Sequence, residues 1–309
     1  MVLKQTNRRK TIGKLVLSFC LISIATFFAL GVLHVIKNDS VSSPDVKEPP
    51  VDEEKVVTVE EEKEEVEILP IDFQHEINDW VNSTGGTKGI AIYDLDLDTY
   101  VGSYNIDEKF ETASVYKLFV VYEGYRRVQS GEWNKDETVS WTGNSILECL
   151  DLAIRESNSP CAETLWSMIG RDELNDIVHS TFELSDVFVN DLEATPSEIV
   201  KMLKIYYEHK ELTDDTLVTR MKDSFLNQPV TEYNWRQGLP SGFSERALVY
   251  NKVGWNYDGS RWTIYDDVAI VEFPEQNRRF IVVVMTSGVN FQQIRNFATI
   301  LEEKFFSMY

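Results

Sequence analysis

The chain has 309 residues, 43% of them hydrophobic, and a formal net charge of −21, which gives enough apolar content for a real core and excludes a disordered chain. The charge is uneven: residues 1–36 hold five basic residues and no acid, residues 37–70 hold four basic and twelve acidic ones, and residues 71–309 carry the remaining −18. A globular part this acidic repels a phosphate backbone, and its basic residues form no stripe, so nucleic acid is not an expected partner.

Residues 1–14 are a short basic segment, and residues 15–36 (LVLSFCLISIATFFALGVLHVI) form an uncharged run long enough to cross a bilayer as a helix. The preceding basic residues orient it, so the reading is a single-pass cell-membrane anchor with a cytoplasmic N-terminus and everything after Ile36 extracellular. The run is longer than the apolar core of a cleaved signal peptide, and no small-x-small cleavage site follows it. Phe19 before Cys20 is too large for lipoprotein processing. Residues 37–70 are acidic, contain no aromatic residue and read as a disordered, self-repelling tether.

Residues 71–309 form the globular domain. GIAIYDLDLDTYVGSYN predicts a hairpin near residues 89–104. Helical spacing follows from Ala113 to about Val128 and again through residues 145–210, punctuated at Gly131, Pro160, Gly170 and Pro196. Three β-rich segments, ALVYNKVGW, TIYDDVAIVEF and RFIVVVMTSG, precede an amphipathic helix from about Phe291 to Phe306. The expected class is α+β: an antiparallel sheet flanked by helices, with a helical subdomain.

Cys149 and Cys161 are the only cysteines of this domain. They are no disulfide framework; in an exported chain they form one bridge, and otherwise they are two small buried hydrophobes. The sequence has no CxxC, HExxH or HxH, and His34, His75, His179 and His209 are scattered. Neither a metal nor a cofactor is expected.

The chemistry-bearing candidates begin at ETASVYKLFV. Ser114 and Lys117 are three residues apart at a helix start, which puts both on one face. A serine hydroxyl needs a base, and a partly desolvated lysine serves as one. The helix N-terminus favours oxyanion character beside Ser114. RESNSPCAETL then places Ser157 and Ser159 before another helical stretch, and YNKVGW places Lys252 and Gly254 on a strand. Asp266 and Asp267, adjacent on a strand, point to opposite faces and make no carboxylate pair. The seven tryptophans, among them Trp141, Trp235 and Trp262, read mainly as packing residues rather than sugar-stacking ones.

This ordered series resembles the class A β-lactamase and penicillin-binding serine hydrolase family, whose signatures are S-x-x-K, S-D-N and K-[TS]-G. NDLEATPSEIVKML looks like the helix start after that family's omega loop, and RQGLP looks like a segment common in exported relatives. The resemblance implies Ser114 as acylated nucleophile and Lys117 as its proton acceptor. It implies Ser157 as proton relay to the leaving nitrogen and Lys252 as the charge that holds the relay and a substrate carboxylate. Ser159 and Gly254 would bind substrate, and the N–H groups of Ser114 and Trp255 would form the oxyanion hole.

Three departures bear on activity. Ser159 stands where the family has an amide-binding asparagine, and Val253 replaces a hydroxyl residue. The E-x-x-L-N omega loop is not recognisable: Glu173, Glu183 and Glu193 are present outside that pattern, so efficient β-lactam hydrolysis is not expected. The resemblance thus implies an extracytoplasmic serine acyl hydrolase, closer to a D,D-peptidase than to an efficient β-lactamase, acting on a peptidoglycan peptide or β-lactam-like amide. The alternative is a catalytically degenerate domain of the same fold that binds wall peptide or a protein partner.

Overall fold

The structure, a computed structural model, describes residues 70–226, 228, 236–257, 259 and 262–309. The basic segment, the apolar run 15–36 and nearly all of the acidic tether lie outside the described residues. Among the described residues no helix is long and apolar enough to cross a membrane.

The hairpin appears as β1 (Thr87–Asp94) and β2 (Thr99–Tyr104), with a register shift at Ile92/Tyr93. The three β-rich segments near the end form β6 (Leu248–Tyr257), β7 (Trp262–Phe273) and β8 (Arg278–Ser287), numbered after three short strands described below. The five long strands make one antiparallel sheet in the order β2-β1-β8-β7-β6. The hairpin therefore joins the sheet through β1 against β8, which leaves β6 at an edge.

Helices cover both faces, because side chains alternate along each buried strand. On the rear face, α1 (Gln74–Ser83), α8 (Leu239–Gly242) and α9 (Phe291–Phe306) bury a core that includes Trp80, Phe273, Phe297 and Phe305. Trp80 stacks on Phe297 with ring centroids 4.7 Å apart. α9 starts on a capping box between Asn290 and Gln293, which satisfies two otherwise orphaned backbone donors. The front face carries α2 (Lys117–Ser130), α3 (Ile146–Arg155), α4 (Ser159–Ile169), α5 (Arg171–Ser180), α6 (Pro196–Glu208) and α7 (Asp215–Leu226). Together with Val268, Ile281, Val283 and Met285 of the sheet they form the second core.

The punctuation residues fall at helix ends. Gly131 closes α2 at φ 78°, a left-handed position that favours glycine. Pro160 lies in the first turn of α4, and Pro196 opens α6 behind the N-cap Thr195, where a missing N–H costs nothing.

Three features depart from the sequence expectation. α1 is an additional helix; its segment is mostly polar and only Ile77 and Trp80 are buried, too few to give a clear period. Ala113–Tyr116 is a 3-10 turn leading into α2 rather than part of the α-helix. The stretch 145–210 is not continuously helical: β4 (Val187–Phe188) and β5 (Glu193–Ala194) pair, and β5 also pairs with β3 (Phe110–Glu111). Two-residue strands carry no readable periodicity.

Candidate active site

The 3-10 turn that holds Ser114 is pinned on both sides. Thr112 N–H donates to the Leu192 carbonyl at 2.7 Å, and Val115 N–H donates to the Thr112 carbonyl at 2.8 Å. Ala113 between them has φ 39°, a left-handed conformation that costs a non-glycine residue on the order of 1–3 kcal/mol. With three residues per turn, side chains at i and i+3 eclipse. Ser114 and Lys117 therefore still share one face, and Lys117 Nζ lies 3.1 Å from Ser114 Oγ.

Lys117 is fully buried. Besides Ser114 its nitrogen meets the Ser157 carbonyl at 2.6 Å, Ser157 Oγ at 3.2 Å and Ser159 Oγ at 3.1 Å. Four oxygens surround a nitrogen that carries three hydrogens as an ammonium and two as an amine. In the amine form the lone pair is free to accept the Ser114 proton. Burial pushes the Lys117 pKa down to about 8, against a smaller opposing pull from the Glu163 carboxylate. A base near that value holds a useful neutral fraction close to neutral pH.

Ser157 lies in the turn between α3 and α4 and has φ 51°. The middle residue of its motif, Asn158, is structural: its side chain caps α4 by accepting from Cys161 N–H at 2.9 Å. Ser159 begins α4, and its hydroxyl is a ligand of Lys117. Cys149 and Cys161 are bridged, with Cα atoms 4.9 Å apart. The bridge ties α3 to α4 and closes a loop that contains Ser157, Asn158 and Ser159.

Lys252 reaches the same hydroxyl from β6. It is 1% exposed, and its Nζ donates to Ser157 Oγ at 2.9 Å and to the Val253 carbonyl at 2.9 Å. Burial first, and then the positive charge of Lys117, push its pKa well down, while Asp267 opposes them. Ser157 Oγ thus bridges two lysine nitrogens, the arrangement a proton relay requires.

Strand register explains the rest of the K-V-G motif. Gly254 pairs with Asp266 and Val253 with Asp267, and cross-strand partners share a face. Lys252 and Gly254 face the nucleophile; Val253 faces rearward and is 1% exposed. A Cβ on Gly254 would lie 2.6 Å from the Thr112 carbonyl oxygen and 3.1 Å from Asp266 Oδ2. The missing side chain therefore lets β6 lie directly against the nucleophile turn. The Trp255 ring is also on the rear face, 5.9 Å from Phe291, so only its backbone is available to the front.

The glutamates noted in the sequence are elsewhere. Glu173 pairs with Arg127, and Glu183 and Glu193 are exposed. Among the described residues no carboxylate is hydrogen-bonded to Ser114 or Lys117. The acid that influences Lys117 is Glu163 on α4, which sequence reading missed because it belongs to none of the motifs. It accepts from Tyr116 Oη at 2.5 Å and pairs with Arg171 at 2.6 Å. Trp141, read as a packing residue, is 98% exposed; Trp235 and the Trp262 side chain lie outside the described residues. Among the described residues no cluster of potential metal ligands occurs.

Similarity to known structures follows the same outline. The class A β-lactamase of the last common ancestor of Gram-negative bacteria superposes with a TM-score of 0.66 at 17% identity, over 75% of this chain and 98% of that chain. An ancestral class A β-lactamase gives a TM-score of 0.66 at 17% identity, over 75% of this chain and 99% of that chain. PBP-A gives 0.64 at 19% identity, over 78% of this chain and all of its own, 100%. At these identities the likeness speaks for the fold. No curated protein matches the chain by sequence. The sequence profile described as the Beta-lactamase enzyme family matches residues 72–302, and the chain belongs to that family.

Proposed function

We propose that the protein is a serine acyl hydrolase in which Ser114 attacks a peptide-like cell-wall amide or a β-lactam-like amide and forms an acyl-enzyme. The observation that carries this reading is the 3.1 Å contact between Ser114 Oγ and the buried Lys117 Nζ. Lys117 takes the Ser114 proton as the hydroxyl attacks. Ser157, bridging Lys117 and Lys252, passes a proton to the departing nitrogen, and Lys252 also offers positive charge to a substrate carboxylate. The N–H groups of Ser114 and Trp255 receive the oxyanion, and Ser159 and Gly254 border the bound amide. Glu163, held by Tyr116 and Arg171, is poorly placed to activate a deacylating water. The reading is therefore an enzyme that acylates readily and deacylates slowly, closer to a D,D-peptidase than to an efficient β-lactamase.

The uncharged run 15–36 is proposed as a single-pass anchor, with the acidic segment 37–70 spacing the domain from the membrane on the outside. A disulfide in the domain supports an oxidising compartment. Protease applied to intact cells should then remove the domain and leave an N-terminal fragment that still contains residues 1–14; a mature form starting after Ile36 would refute the anchor.

The decisive measurement is the intact mass of the full chain after incubation with a penicillin, beside Ser114→Ala. A stable adduct only with Ser114 present supports the proposal. A protein that binds the penicillin reversibly, stays unmodified and keeps its affinity after Ser114→Ala would instead be a binding domain of this fold.

A further inference from the structure

β7 carries two fully buried aspartates side by side, Asp266 and Asp267, and the mechanism above uses neither. Their surroundings differ. Asp266, on the front face beneath Gly254, accepts from Thr286 N–H at 2.9 Å through Oδ1, while its Oδ2 lies buried without a hydrogen bond. Asp267, on the rear face, uses both oxygens: Oδ1 accepts from Asn251 Nδ2 at 2.8 Å and Oδ2 accepts from Leu239 N–H at 2.7 Å.

Those two bonds join two pieces of sequence. Leu239 opens α8 within RQGLP, and Asn251 immediately precedes Lys252. Gly238 is required at this junction, because a Cβ there would lie 2.2 Å from Asp267 Oδ2. Arg236 of the same segment donates to the Val249 carbonyl at 3.2 Å, and the buried Gln228 donates to the Asn251 carbonyl at 2.7 Å. The segment before β6 is thus fastened to the strand around one carboxylate. Asn251 and Lys252 are neighbours on a strand and point to opposite faces. Holding the Asn251 side chain at the rear fixes the direction of Lys252 at the front.

We propose that Asp267 is a positioning residue for Lys252, orienting it through Asn251 and holding its positive charge from behind the sheet. The proposal rests on the role given to Lys252 under the proposed function. Burial raises the Asp267 pKa to about 7, against the opposing pulls of Asn251, the Leu239 N–H, Arg236 and Lys252, and it pushes the neighbouring Asp266 well up; above about pH 7 the Asp267 charge therefore opposes the burial that lowers the Lys252 pKa. Removing that charge lets Lys252 lose its proton at lower pH.

The test uses the full chain with 13C-labelled lysine side chains and compares the Lys252 titration in wild type, Asp267→Asn and Asp266→Asn. Asp267→Asn should move the Lys252 midpoint down by about one pH unit, on the order expected for a charge removed at this range within protein. The alkaline limb of penicillin acylation should move with it, and Asp266→Asn should shift neither to the same extent. A Lys252 midpoint unchanged in Asp267→Asn, or equally shifted in both variants, overturns the proposal. Should Asp267→Asn fail to fold, Asn251→Ala decides: it should slow acylation while leaving the alkaline limb in place, and an unchanged rate overturns the proposal. The titration does not depend on acylation. A wild type that never acylates refutes the proposed function while Lys252 still tests Asp267.

Discussion

Two stretches of the chain border Ser114, and they differ in how completely they are furnished. On one side the 3-10 turn, the Ser157 turn and β6 converge the hydroxyls of Ser114, Ser157 and Ser159 and two buried lysines, each side chain with a named partner. On the other side, residues 171–195 supply backbone support through the Leu192 carbonyl but bring no carboxylate into hydrogen-bond contact with Ser114 or Lys117. Under the proposed function, the first region supplies the groups that acylation uses. Among the described residues the second brings no carboxylate that could activate a water at Ser114. If the protein is the two-step enzyme proposed, this imbalance argues for slow release of the acyl group.

The largest effect should come from breaking the furnished side. Lys117→Ala removes the base and should slow acylation by about 10²–10⁴-fold, the usual contribution of a positioned general base; stopped-flow or mass-resolved adduct formation reads it. Lys117→Met sharpens the point by separating function from stability. A lysine whose folded pKa is about 8 rather than 10.5 binds fewer protons folded than unfolded between those values. Stability therefore rises with pH across that window and is lowest below about pH 8. Replacing the buried cation with an apolar side chain of similar length should abolish acylation yet stabilise the fold by on the order of 1–3 kcal/mol near neutral pH. A destabilised Lys117→Met would mean that the oxygen cradle contributes more to folding than the buried charge costs.

The bridge behind the furnished side comes next. Cys149 and Cys161 are both fully buried, and the loop between them includes Ser157, which has a left-handed backbone. Cys149→Ala with Cys161→Ala should cost about 3 kcal/mol by the loop-entropy relation for a separation of 12 residues. Thermal unfolding checks the cost. Faster amide exchange in residues 156–160 should accompany it, since the loop then loses its closure.

The contrast between the two sides also explains which parts of the protein were legible in the sequence. The hairpin, the strands β6 to β8 and α9 follow from alternation and helical spacing, and Gly131, Pro160 and Pro196 mark real helix ends. Ser114, Lys117, Ser157 and Lys252 were found as ordered motifs, and their convergence needed the tertiary fold. What escaped was any residue whose role comes from a neighbour distant in sequence. Gly254 is implied as a substrate-binding residue, and its missing side chain makes room for the Thr112 carbonyl. Glu163 carries no motif, and its partners Tyr116 and Arg171 lie 47 and 8 residues away. Asp267 has its meaning only in the register that sets it opposite Val253.

Glu163 gives the smallest effect and the finest discrimination between the two sides. Were it a deacylating base, Glu163→Gln would trap the acyl-enzyme and lengthen its lifetime greatly. The geometry predicts otherwise, because one carboxylate oxygen is taken by Tyr116 and the other by Arg171. Its charge instead favours protonated Lys117. Neutralising Glu163 should therefore move the acid limb of acylation, which follows Lys117 deprotonation near pH 8, to lower pH by a few tenths of a unit, the size expected for a partly solvated charge. The acyl-enzyme lifetime should stay within about twofold of wild type, a difference well under 1 kcal/mol. A long-lived adduct in Glu163→Gln with an unmoved acid limb would assign the missing water activation to α4 and make the second side complete after all.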